Sequence, residues 1–250
     1  LLDWGLSDSV HGLRTFGVTI VEQAVASGVT LLKPQVAFFE RHGTSGLTAL
    51  SEIIGLARDK GLLVIADAKR GDVGSTVDAY ADAWLGSGSD LSADALTAVA
   101  YQGVGSIEPL VEAALKNDKG LFVLVNTSNP DGWDIQRATT PSGRTVAQEI
   151  FDHLVERHTS SGTSNWLGAV IGATLAPTER AVDPGDGRGL WILTPGFGHQ
   201  GAKLSRARDI YGDAVGRVIP TVSRSITALG PDNVAESIAH HLRELGNDPI

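Results

Sequence analysis

The sequence of 250 residues contains no cysteine and no methionine. Without cysteine there are no disulfides, no thiolate nucleophile and no cysteine-ligated zinc. That is compatible with a cytoplasmic protein, which is the expected location. The first residue is a leucine rather than an initiating methionine, so the natural start is expected upstream. No apolar run approaches the roughly 18–20 residues that span a bilayer. The opening LLDWGLSDS lacks the pattern of a signal peptide, and no membrane partner is expected. Positive charge is scarce: 20 Lys and Arg stand against 29 Asp and Glu, a net charge of −9. A general nucleic-acid binder carries the opposite footprint, so no nucleic-acid partner is expected. A local basic pocket for a phosphate is still allowed. No His, Asp or Glu set has recognisable metal-ligand spacing, and no metal or cofactor is expected.

A hydrophobic content of 42% with 20% charged residues describes an ordinary globular chain. Seven short apolar runs stand out: 29–36, 62–69, 95–101, 121–128, 167–174, 190–196 and 216–224. Most are continuous rather than alternating, as strands buried on both faces of a parallel sheet are. Helical spacing fills 7–27, 45–60, 106–116, 146–158 and 232–245. The stretches 129–145 and 175–189, the second Gly/Pro/charge-rich, read as loops with at most a short helix in each. Unbroken βα alternation predicts one α/β domain over 1–250. An open doubly wound sheet and an eight-stranded barrel both fit. Polar and Gly-rich clusters at the end of nearly every strand favour a (β/α)8 TIM barrel. Seven strands and an opening helix then place the first strand upstream of Leu1.

The segment LLVIADAKRGDVGST (62–76) delivers Asp67, Lys69 and Asp72 where a buried strand ends. Residues i and i+2 of a strand share a side, so Asp67 and Lys69 are expected to face the barrel mouth together. Lys33 ends the preceding strand at the same level, and Asp72 is close enough to fold back. A carboxylate between two ammonium groups stays ionised. A lysine between acids is a fixed proton source and stabilises negative charge as it develops. A Schiff-base lysine wants the opposite, an apolar or cationic neighbourhood. Spacing alone leaves open whether these residues are a structural ion pair or a reactive pocket.

After the last two strands come LTPGFGHQGA (193–202) and IPTVSRSI (219–226). These are the loops where barrels commonly bind phosphate. Gln200 offers a donor and Arg224 a bidentate clamp; ordinary tight turns and a surface ion pair are the alternatives. GFGHQG is not a dinucleotide fingerprint. His42 reads as loop surface, His199 as lacking a metal partner, and His240 with His241 as solvated on the last helix. Asp183 and Asp186 read as turn residues.

DAKRGDVGST (67–76) resembles the signature of the orotidine 5′-monophosphate decarboxylase family, Asp-x-Lys-x-x-Asp followed by an apolar residue and Thr. LKPQVAFFE (32–40), NTSNP (126–130), IGATLAP (171–177), PGFGHQG (195–201) and SRSI (223–226) resemble its long bacterial branch, in the same order. The resemblance implies a metal-free and cofactor-free homodimer acting on orotidine 5′-monophosphate. Lys33, Asp67, Lys69 and Asp72 match the charged tetrad, with Lys69 as the proton donor to C6. Asp67 would hold the lysines beside the departing carboxylate. Asp72, Val73 and Thr76 would reach the neighbouring subunit's site. Thr127 and Ser128 match the pyrimidine-contacting loop; Gln200, Gly201, Ser223 and Arg224 match the phosphate grip. The 175–189 loop is the expected lid. Two other readings compete. A magnesium-dependent sugar-phosphate decarboxylase or aldolase of the same barrel lineage would need an extra strand-end acid, which neither Lys33 nor Asn126 supplies. A non-catalytic phosphate-ligand-binding barrel would have no use for both lysines and both acids.

Overall fold

The structure, a computed structural model, describes residues 1–162 and 166–246. Residues 163–165 and 247–250, which the expected domain 1–250 includes, lie outside the described residues. Seven parallel strands are paired in chain order: β1 Leu31–Leu32, β2 Leu63–Arg70, β3 Ala95–Ala98, β4 Gly120–Asn126, β5 Trp166–Ile171, β6 Trp191–Pro195 and β7 Val218–Thr221. Each falls inside, or within one residue of, an apolar run of the sequence. The sheet curls into the TIM-barrel arrangement with helices outside. No described residue fills an eighth strand position between β7 and β1.

The continuous apolar runs have a direct cause. In β2, Val64 and Ala66 belong to the large core under the helices, while Ile65 lies in a separate cluster with Ala95, Phe122, Val170 and Leu193. That second cluster is the barrel interior, with Leu31, Leu124, Trp191 and Ile219 packed against it. Both faces of each strand are therefore dry, and alternation disappears from the sequence.

The long helices are α1 Val10–Ala26, α3 Gly43–Asp59, α4 Ser75–Leu85, α5 Glu108–Lys116, α7 Val146–Ser160 and α10 Val234–Gly246. Short ones are α2 Ala37–Glu40, α6 Trp133–Gln136, α8 Ala207–Tyr211 and α9 Arg224–Thr227. The α3 helix buries Gly46, Ala49, Leu50, Ile53, Ile54 and Ala57, a stripe at helical spacing. It approaches α1 so closely that a Cβ on Gly17 would sit 2.1 Å from Ile53 Cδ1. A reciprocal Thr145–Gln148 capping box starts α7, satisfying two otherwise orphaned groups at its first turn. No helix among the described residues is long and apolar enough to cross a membrane.

Segment 175–189, the expected lid, is packed against the rest of the chain in this structure. Its Leu175, Val182 and Pro184 are buried. Ala181 N–H donates to Asn126 Oδ1 at 2.8 Å, and Arg137 Nη2 reaches Thr178 O at 3.3 Å. Arg180 lies over the Tyr211 ring and donates to Ile210 O. A chain fastened by buried side chains and by bonds to three other elements is packed structure, and it includes two 3-10 turns, Pro177–Glu179 and Pro184–Gly187.

Candidate active site

The charged residues gather where β1, β2 and β3 end. Asp67 is buried, and each of its carboxylate oxygens accepts two hydrogen bonds. Oδ1 takes Lys69 Nζ at 2.6 Å and Thr97 Oγ1 at 2.9 Å. Oδ2 takes Lys33 Nζ at 2.7 Å and Gln35 Nε2 at 3.2 Å. Four donors fill the four acceptor positions of an ionised carboxylate. Burial pushes the Asp67 carboxyl up, but the adjacent Lys33 and Lys69 ammonium groups outweigh it and hold the group below the usual carboxylate range. The side chain of Lys69 is the most open of the three, 42% exposed against 21% for Lys33 and 10% for Asp67.

Simple strand alternation does not produce this meeting. Lys69 has a left-handed backbone, φ 50°, and the β2–β3 register shifts between Ala66 and Arg70. A left-handed non-glycine residue costs roughly 1–2 kcal/mol, and such strain collects at functional sites. Here the Lys69 N–H donates to Thr97 Oγ1 at 3.0 Å. Thr97 thus fixes both the Lys69 backbone and the Asp67 carboxylate. It is buried two residues above Ala95 of the barrel interior. The next residue, Arg70, turns outward to Glu40 and over Tyr80 and Trp84. At Gly71 a Cβ would meet Val99 O at 2.2 Å, so glycine alone fits there.

Asp72 does not join the cluster within the chain. Its Oδ1 accepts from Val73 N–H at 2.8 Å, and it makes no ion pair with either lysine among the described residues. β2 ends at Arg70, and Asp72 lies beyond it, in the segment that leads to α4. Three alternating charges stand where spacing suggested four. Val73 is 54% exposed, and Thr76 is exposed on the first turn of α4.

At the end of β4, Asn126 is fully buried. Its Nδ2 donates to Gln136 Oε1 at 3.0 Å. The Thr127 hydroxyl accepts from Gln136 Nε2 at 2.6 Å and donates to Asn129 Oδ1 at 2.7 Å. Ser128, half-buried, packs beside Gly172, where a Cβ would sit 3.2 Å from Ser128 Cβ.

The two segments expected to grip phosphate are neighbours. Residues 196–202 close on themselves through Gly198 N–H to Ala202 O at 2.8 Å and Ala202 N–H to Gly196 O at 3.2 Å. The exposed tip carries His199, Gln200 and Gly201. At Gly198, with φ 71°, a Cβ would lie 2.4 Å from Ser225 Oγ. Ser223 and Arg224 are exposed beside it, and Arg224 has no ion-pair partner among the described residues. Ser225 Oγ in turn meets His241 Nε2 at 3.0 Å, while His241 Nδ1 lies 3.6 Å from Glu244.

Two histidines therefore correct the sequence reading. His241 is tucked under α9 with its side chain 12% exposed, because α10 packs against that turn. His42 is likewise sheltered, between Arg41 and Asp8. His240, His241 and Glu244 bring potential ligand atoms within 4.8 Å of one another, the one such group among the described residues. A surface cleft lined by Asp152, Glu156, Asp186 and Arg188 contains none of the expected site residues.

Sequence reasoning missed Thr97, Gln35 and Gln136. A single Thr inside the apolar run ALTAVA was the available signal for the first. Gln136 lies nine residues from Thr127, in a stretch read as loop, and carried no signal.

Comparison with known proteins is consistent with this geometry. Residues 18–238 match the model of the orotidine 5′-phosphate decarboxylase / HUMPS family. The chain is 44% identical to orotidine 5′-phosphate decarboxylase of Salinispora tropica over 93% of its length and 82% of the relative's. It is 43% identical to that of Streptomyces coelicolor, covering 94% and 83%. A crystal structure from Streptomyces avermitilis superposes with a TM-score of 0.91 at 40% identity, covering 99% of this chain and 86% of that one. The Leishmania donovani OMP decarboxylase structure gives 0.76 at 29% identity, covering 96% and 88%. The chain belongs to the orotidine 5′-phosphate decarboxylase / HUMPS family.

Proposed function

We propose that this chain decarboxylates orotidine 5′-monophosphate to uridine 5′-monophosphate, the last step of de novo pyrimidine synthesis, without metal or organic cofactor. One observation carries the mechanism: the Asp67 carboxylate joins the Lys33 and Lys69 ammonium groups at the barrel mouth. The C6–carboxylate bond breaks, carbon dioxide leaves, and the bonding pair stays on C6 in the ring plane, where resonance spreads it little. A fixed positive charge beside C6 lowers that barrier. The Lys69 ammonium supplies the charge and then gives C6 its proton, recovering one from solvent after product leaves. Lys33 adds charge, and Asp67 holds both amines in register beside the departing group.

The turn that carries Thr127 and Ser128 meets the base; Gln200, Gly201, Ser223 and Arg224 take the phosphate. Binding at that remote phosphate helps assemble the site around the reacting carbon. Residues 1–250 would form one barrel domain of a cytoplasmic homodimer. Asp72, Val73 and Thr76 reach the partner's site. Support comes from the rim: Phe38, Val73 and Tyr101 follow three adjacent strands and are all large, apolar and exposed. A partner subunit seated on this side of the barrel mouth would cover such residues.

The test is the fall in orotidine 5′-monophosphate absorbance with EDTA present. Turnover is expected to continue undiminished. A requirement for added magnesium would transfer the chain to the sugar-phosphate branch, and no turnover under either condition would contradict the proposal.

A further inference from the structure

We propose that Gln136 is the residue that positions the base-contacting turn, and that it acts on recognition of the base rather than of the phosphate. The inference rests on the function proposed above. Gln136 clasps the end of β4 at three points. Its Oε1 accepts from Thr127 N–H at 3.0 Å and from Asn126 Nδ2 at 3.0 Å, and its Nε2 donates to Thr127 Oγ1 at 2.6 Å.

The clasp fixes what each residue of the turn can offer. The Thr127 hydroxyl, accepting from Gln136 and donating to Asn129, has no proton left for a nucleotide. Ser128 makes no hydroxyl hydrogen bond among the described residues and is wedged against Gly172 at the end of the next strand. The base contact therefore falls to Ser128, with Thr127 serving as the handle by which Gln136 holds it. The space for the clasp is made by a missing side chain: a Cβ on Gly132 would lie 2.7 Å from Gln136 Nε2 and 3.2 Å from Thr127 Oγ1. Buried Asn126 extends the same network to Ala181. Placement of the turn is thus set by bonds that never touch ligand.

The experiment measures dissociation constants for uridine 5′-monophosphate and for ribose 5-phosphate, with kcat and KM for turnover. The proteins are the wild-type chain, Gln136→Leu, which keeps the volume and loses every bond, and Gln136→Glu, which keeps the acceptor. Removing two or three hydrogen bonds should weaken uridine 5′-monophosphate binding about tenfold or more in Gln136→Leu. KM should rise in step, and ribose 5-phosphate binding should stay within about twofold. Gln136→Glu should fall between. Should Gln136→Leu fail to fold, Gly132→Ala, which presses a methyl into the clasp, should show the same selective loss. Unchanged nucleotide binding overturns the assignment, as does an equal loss for both ligands, which marks a merely structural role. Wild-type turnover tests the function separately, because the two binding constants read Gln136 whether or not decarboxylation occurs.

Discussion

At the residue scale, the site reduces to one carboxylate with two cations and two neutral donors on its oxygens. The sequence displayed the ions and concealed the neutral groups. Asp67 and Lys69 were legible because two charges at the end of a buried strand need an explanation. Thr97 was not, because a hydroxyl buried in a strand is ordinary until its partners are known. The lowered Asp67 carboxyl carries a pH prediction. Above the unfolded value of 3.8, the ionised group is stabilising. As pH falls through that value towards the lower folded one, the unfolded chain takes up a proton first and stability is lost. Asp67→Asn should lower neutral-pH stability by about 1–3 kcal/mol. It should also flatten the acid limb of urea-unfolding stability against pH. An unchanged limb would show that Asp67 gains nothing from its lysines in the fold.

At the scale of elements, all seven strands could be read because double-sided burial leaves long apolar runs. Helix α7 opens on TVAQ, whose reciprocal cap is a sequence signal in its own right. The short helices α2, α8 and α9 escaped because each is about a single turn set by tertiary contacts, too brief for periodicity to register; α6 falls where at most a short helix was expected. The anchoring of segment 175–189 was not legible for a related reason: composition reports polarity and turn formers, while Leu175, Val182 and Ala181 reveal their contacts only once folded. Excising residues 178–186 behind a short Gly linker is expected to lower Tm by about 5 °C or more, alongside activity. A lid would leave Tm unchanged and alter kinetics alone, so a scanning-calorimetry trace separates the two.

At the scale of the whole molecule, the curled sheet brings the ends of strands far apart in sequence to one mouth. Chain order reveals that only in outline. The absence of Asp72 from the intrachain cluster is the feature that points beyond one chain. If Asp72 serves the partner's site, Lys69→Ala and Asp72→Ala should each be inactive alone. Mixed in equal amounts and allowed to exchange, they should recover about a quarter of wild-type activity, since each hybrid dimer rebuilds one intact site. A mixture as inactive as its parents would place Asp72 in its own chain's chemistry.

The Lys69 amine is the proposed source of both charge and proton at C6. The direct measurement is steady-state turnover of orotidine 5′-monophosphate by Lys69→Ala, with uridine 5′-monophosphate binding measured on the same preparation. Turnover should fall at least about a thousandfold, while the product still binds. A variant that keeps turnover within about tenfold of wild type would contradict it.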